Sequence, residues 1–133
     1  MFNWLKQKIS KQSVSVVVKT LGQLGEEFAQ REYIQQGYEI VVANEYNKKG
    51  KRLGEIDFIA KNKLRLAFVE VKTRTIGSSK FGTGAEAVNV YKQAKILKAV
   101  KVYLLKHTEF SALKPQIDVC VVEWSEVDKA FRP

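Results

Sequence analysis

Between residues 21 and 36 apolar side chains return at helical spacing. Leu21, Leu24, Phe28 and Tyr33 form a stripe, with Glu26, Glu27, Gln30 and Arg31 between them. Such a pattern predicts an amphipathic helix, and Gly37 stands where a left-handed residue closes one. Residues 38–43 are aromatic and β-branched and predict a strand. Two further strands are predicted over residues 55–60 and 64–73, joined as a hairpin through Asn62 and Lys63. Asn89 is placed to cap a second long helix reaching about Lys106, whose apolar face is Val90, Ala94, Leu97, Val100 and Leu104. Residues 117–124 read as a last strand. The resulting order, α-β-β-β-α-β, predicts an α/β domain over residues 21–124. The first three strands form a meander, and the second helix carries the last strand back to the sheet.

Three segments read as irregular. Residues 1–20 hold Lys6, Lys8, Lys11 and Lys19 without an acid, and Phe2, Leu5 and Ile9 recur at helical spacing. A frayed basic arm, a short helix and a surface anchor all fit this segment. Residues 75–84 form a glycine-rich loop containing Lys80, but no Gly-Lys-Ser/Thr follows, so it is no P-loop. Residues 125–133 read as a C-terminal tail.

Composition narrows the chemistry. The chain has 133 residues, one cysteine and one histidine, the size of one domain. A disulfide framework and a Cys/His zinc site are therefore excluded. Serine–histidine catalysis would have to pass through His107, whose place at a helix end suits a structural role. Cys120 and Trp124 read as packing residues. No apolar run approaches the roughly 20 residues that span a bilayer. With one cysteine and no targeting signal, the expected compartment is the cytoplasm.

Charge adds a partner. Lys and Arg total 23 against 14 Asp and Glu, a net +9, which favours polyanions such as nucleic acid. The excess gathers in the arm, in Lys48, Lys49, Lys51 and Arg52 of the loop 47–54, and in a ridge of Lys92, Lys95, Lys98 and Lys101.

The informative chemistry lies in Gly54-Glu55-Ile56-Asp57 and Phe68-Val69-Glu70-Val71-Lys72-Thr73-Arg74. Residues two apart on a strand share a face, so Glu70 and Lys72 project together. With Asn62-Lys63 as the turn, position 57 pairs with 68, which puts Asp57 on that face too. A loop longer by two residues preserves this parity. Charges set in such an apolar run are costly unless used. Converging carboxylates suit a hard cation, Mg²⁺ or Mn²⁺, and Glu26 on the first helix is the candidate third ligand. The plainer alternative is an Asp57–Lys72 salt bridge on a polar sheet face. Glu55 fits either a group supporting Asp57 or an outward ion pair.

These stretches resemble the YraN family of the restriction-endonuclease-like superfamily, which also holds archaeal Holliday-junction resolvases. The resemblance runs from Gly22 to Val122. It rests on Gly25-Glu26 with Ala29, Gly37-Tyr38, Asn44, Gly54-Glu55-Ile56-Asp57, Phe68 to Arg74, Lys92-Gln93 and Asp118-Val119. Gln116-Ile117 stands where the family usually has Arg-Phe. The resemblance implies a restriction-endonuclease-like core, a mixed sheet flanked by helices. It implies Glu26, Asp57 and Glu70 as metal ligands, Lys72 as the catalytic lysine and Gln93 as an accessory group. The expected function is a Mg²⁺- or Mn²⁺-dependent deoxyribonuclease acting on branched or other structured DNA. Lys48, Lys49, Lys51, Arg52, Arg74, Lys80, Lys92 and Lys95 are its expected phosphate contacts, and a homodimer is an expected assembly. The rival readings are a non-catalytic nucleic-acid-binding module that keeps the fold, and a membrane-surface or RNA-associated protein working through the basic arm.

Overall fold

The computed structural model describes residues 18–43, 56–77 and 90–132. The arm cations Lys6, Lys8 and Lys11, with Lys48, Lys49, Lys51, Arg52, Glu55, Lys80 and the cap Asn89, lie outside these residues, whereas Lys19 is described and pairs with Glu27.

Helix α1 spans Leu21–Gln35. Thr20 begins it with a reciprocal cap: its hydroxyl accepts the Gln23 N–H at 3.1 Å, and the Gln23 side chain accepts the Thr20 N–H at 2.8 Å. This pair satisfies two backbone donors that a helix start leaves open. The helix closes at Gly37, where φ is +93° and the N–H reaches the Ile34 carbonyl at 3.0 Å. Phe28 and Tyr33 of the expected stripe pack against the sheet, but the most buried positions are others. Gly25, Glu26 and Ala29 are buried, whereas Leu24 is exposed. The helix approaches the sheet through its small residues. A Cβ at Gly25 would overlap Thr73 Oγ1 and come within 3.1 Å of Thr73 Cβ and Val122 Cγ2.

The sheet has five strands in the order β1 (Glu39–Ala43), β2 (Phe58–Lys61), β3 (Arg65–Thr75), β4 (Lys114–Ser125) and β5 (Ala130–Arg132). The first three form the expected antiparallel meander, and β4 runs parallel to β3. Parallel pairing requires a crossover, which helix α2 (Val90–Lys106) and a short 3₁₀ turn at Thr108–Phe110 lie within. The segment expected as a tail instead folds back, and β5 pairs antiparallel with the end of β4. Trp124 packs against Phe131 across that pair, with ring centroids 4.9 Å apart.

The hairpin register is also corrected. Lys61 pairs with Leu66 and Phe58 with Val69, so every pair is displaced by two from the expected alignment. Asn62 explains the shift. Its side-chain oxygen accepts the N–H groups of Leu64 and Arg65 at 2.9 and 2.7 Å, an Asx-type turn that puts Lys63 and Leu64 at the tip.

The two helices complete two cores on opposite sides of the sheet. On the α1 side, Ala29 packs with Phe58, Ala60, Ala67, Val69, Val71 and Val122. On the α2 side, Ile96 and Val100 pack with Ile56, Ile59, Leu66 and Phe68. Val41 and Val42 both join the second core, because a register shift between Ile40 and Val42 interrupts their alternation. The buried face of α2 is rotated from the expected one. Val90, Ala94 and Leu97 are exposed, Val100 and Leu104 pack as expected, and Ile96, Ala99 and Tyr103 join them.

Candidate functional site

Strand β3 runs past the end of its neighbour. The β2–β3 ladder begins at Phe58↔Val69, while β3 continues to Thr75. The candidate site occupies the resulting notch.

Asp57 stands just before β2. Its N–H bonds the Val69 carbonyl at 2.9 Å, and its Oδ2 accepts the Val71 N–H at 2.7 Å. The side chain thus takes the position of a missing strand carbonyl. Simple alternation stops here, since Ile56 and Ile59 both enter the α2-side core. Asp57 therefore lies at the strand edge rather than on one face, as parity alone had suggested. From this position it meets carboxylates from two elements. Glu26 of α1 is within hydrogen-bonding reach, and the Glu70 charge acts on Asp57 as well. Burial pushes the Asp57 carboxyl up to about 8, the charges of Glu70 and Glu26 add to the rise, and the Val71 N–H opposes it.

Glu70 is buried on β3. Its Oε1 lies 3.0 Å from Lys72 Nζ and 2.7 Å from Lys92 Nζ. Lys72 comes from the same strand, and Lys92 from the first turn of α2. The notch is therefore furnished from both sides of the sheet: Glu26 by α1 and Lys92 by α2. The plainer expectation, an Asp57–Lys72 salt bridge, is not the arrangement found, because Lys72 bonds Glu70.

Of the residues singled out in the sequence, Glu26, Asp57, Glu70 and Lys72 converge here. Lys92, expected as a phosphate contact, is engaged by Glu70. Gln93 follows it on α2 and is itself engaged in an interaction. Arg74 is tied to its register partner Glu123 on β4, with Nε 3.1 Å from Oε1. Lys95 is exposed over the Tyr91 ring, 4.9 Å from its centroid. His107 stacks on Tyr103 and bonds Glu109 at 2.9 Å, a structural role.

The donor set suits a hard divalent cation in kind. Glu26 and Glu70 both act on the half-buried Asp57, and such repulsion is what a cation relieves. Among the described residues, however, no three such side chains already form a ligand cluster. Glu70 is turned to its lysines, and Asp57 Oδ2 to a backbone N–H.

One feature escaped the sequence. A cleft of about 390 Å³ on the α1 side is lined by Tyr33, Tyr38, Gln116, Asp118 and Cys120. The Tyr33 hydroxyl donates to Asp118 Oδ2 at 2.7 Å, and Gln116 Nε2 donates to the same oxygen at 2.8 Å. Burial, reinforced by Asp118, raises the Tyr33 phenol above its ordinary range. The Asp118 carboxylate in the family-like Asp118-Val119 pair was the one available signal.

These features define a mixed α/β protein, with two α-helices on a five-stranded mixed sheet among the described residues, consistent with a nuclease-like core. Comparison of sequences narrows the class. The chain belongs to the Uncharacterised protein family UPF0102, the YraN family, whose sequence model matches residues 25–122. It is 43% identical over 104 residues to a UPF0102 protein of Caldanaerobacter subterraneus subsp. tengcongensis, covering 78% of this chain and 80% of that one. A UPF0102 protein of Carboxydothermus hydrogenoformans is 38% identical over 105 residues, with 79% and 83% covered. One of Acinetobacter baumannii is 32% identical over 111 residues, with 84% and 79% covered. No helix among the described residues is long and apolar enough to cross a membrane.

Proposed function

We propose that the protein is a Mg²⁺- or Mn²⁺-dependent endonuclease that hydrolyses DNA phosphodiesters, with branched or structured DNA as substrate. The observation that supports this most is the gathering of Glu26, Asp57, Glu70 and Lys72 at one notch from three separate segments. Two buried carboxylates, Glu26 and Glu70, beside the half-buried Asp57 raise the energy of the folded chain. A salt bridge on a sheet face would not need them.

In this reading Glu26, Asp57 and Glu70 hold the cation. When bound, it supplies Lewis acidity toward a phosphoryl oxygen and acidifies a water. Lys72 faces the same space from β3 and offers three N–H donors. It orients the attacking water and offsets charge growing on the phosphorus oxygens. Exposed lysines along α2, together with the loop cations, hold the flanking phosphates. A homodimer in the cytoplasm completes the proposal, because a two-fold pair presents two such notches to one branched substrate.

The test is cleavage of flap, junction, single-stranded and duplex DNA with Mg²⁺ or Mn²⁺. Glu70→Ala and Lys72→Ala should each lower the rate by at least about 10²-fold. Cleavage that persists unchanged in both variants would overturn the assignment. A second reading, a binding module that keeps the fold, is favoured by the double lysine pairing of Glu70. It predicts salt-sensitive DNA binding without hydrolysis under any metal.

A further inference from the structure

We infer that the cleft on the α1 side is a base pocket, in which Asp118 accepts a hydrogen bond from the amino group of an unpaired cytosine. The inference rests on the reading of the protein as one that binds DNA, and it needs no metal at the notch. Its basis is the way the Asp118 carboxylate is held. Tyr33 and Gln116 both donate to one oxygen, Oδ2, at 2.7 and 2.8 Å. Gln116 is fixed in turn, because its Oε1 accepts from Arg65 Nη1 at 3.0 Å. Burial raises the Tyr33 phenol, so it stays protonated and donates. The ring is set edge-on against Phe58, with centroids 5.3 Å apart. These donors are spent on Oδ2, and among the described residues Oδ1 has no partner. The carboxylate therefore offers a ligand a pre-oriented acceptor and no donor.

The surroundings select the ligand. Tyr33, Tyr38 and Cys120 line the cleft beside Asp118, and tyrosine rings offer a base an aromatic surface. Cytosine presents an amino donor at N4, which Asp or Glu accepts, whereas thymine carries the acceptor O4 at the same place. Two acceptors repel, so the pocket favours cytosine over thymine. A recess cannot enter a duplex groove, which admits a helix or a β-ribbon, so the base it takes is unpaired. A free amine would also suit a carboxylate, but the net +9 repels it and draws DNA. The sheet register places the pocket near the notch. Phe58, the residue after Asp57, pairs with Val69, and Val69 pairs with Asp118. Two strand spacings, about 10 Å, separate Phe58 from Asp118, a span that DNA covers in about three nucleotides.

The experiment is fluorescence anisotropy of labelled oligo-dC and oligo-dT of equal length with the full chain, at pH 8 in EDTA. The wild type should bind oligo-dC more tightly by about 10-fold or more, as for a hydrogen bond to a charged group. Oligo-dC built from N4,N4-dimethylcytosine, which lacks the donor, should lose that advantage without any change to the protein. Asp118→Asn turns its carbonyl oxygen to Tyr33 and Gln116 and leaves an amide N–H for the cleft, so the preference should vanish or reverse. Loss of a negative charge alone would instead tighten both oligomers alike. The exposed control Glu126→Gln should keep the wild-type preference. Equal wild-type affinity for the two oligomers, or a preference that survives both the dimethylated base and Asp118→Asn, overturns the inference and leaves the nuclease reading standing. Spermidine binding by the wild type without an oligo-dC preference assigns the cleft to a free amine and overturns it too. A cytosine preference that depends on Asp118, without cleavage under any metal, supports the pocket and counts against the nuclease reading. Absence of DNA binding in every protein overturns both.

Discussion

Glu70 and its two lysines should respond unequally to removal. Glu70→Met removes one partner of two ammonium groups that each retain some exposure and can turn to water, so stability should change by no more than about 1 kcal/mol. Lys72→Met combined with Lys92→Met strands a buried carboxylate and should cost about 3–5 kcal/mol. Urea unfolding of the variants checks this asymmetry, in which the carboxylate matters less to folding than the two lysines together. Asp57 carries a second prediction, for the metal-free protein. Its carboxyl is raised from 3.8 to about 8 on folding, so between these values the folded state binds the extra proton. Stability should be fully present below about pH 4, fall as pH rises and level off above about 8. Asp57→Asn should flatten that slope, read as unfolding midpoints at pH 5, 7 and 9. Glu70 and Lys72 were legible as one face because a strand's period of two survives a register error of two residues, whereas Asp57 sits where that alternation breaks. Lys92 was singled out as a phosphate contact, but its pairing with Glu70 was not legible, because the two are 22 residues apart in sequence and only the docked helix joins them.

At the scale of elements, the α1–sheet contact is the most constrained. Gly25→Ala places a methyl group against Thr73 and Val122, and overpacking of this kind should cost about 1–3 kcal/mol. Thr73→Ala in the same chain should recover part of that loss, because it removes the overlapped hydroxyl. Thermal unfolding of the two single variants and the double variant measures the coupling. The element order was readable from periodicity, but the side each helix buries was readable only in part. On α2, Ile96, Leu97, Val100, Tyr103 and Leu104 offer overlapping apolar stripes, and the core of Ile59, Leu66 and Phe68 selects Ile96 and Val100. The short β5 escaped for another reason. Three residues carry little periodic signal, and the turn before it places Lys129 at φ +51° without a glycine.

For the whole molecule, the net +9 should govern DNA affinity through phosphate contacts. The logarithm of the binding constant should fall with log salt by about 0.9 per contact on duplex DNA. Lys95→Gln should reduce the slope by about one where that lysine touches phosphate, as measured by fluorescence anisotropy from 50 to 200 mM salt. The parallel ladder has a consequence in time. Its partners lie far apart in the chain, Arg65 with Lys114 at one end and Thr75 with Trp124 at the other, and closing so large a loop precedes any return from the contacts it makes. Lys92 rides within that loop. Until the crossover docks, Glu70 lacks one of its two ammonium partners, so its full neutralisation belongs to a late stage of folding. Substitution of Lys92 should therefore speed unfolding while leaving the refolding rate nearly unchanged, which marks the notch as a part of the protein that assembles last and opens first.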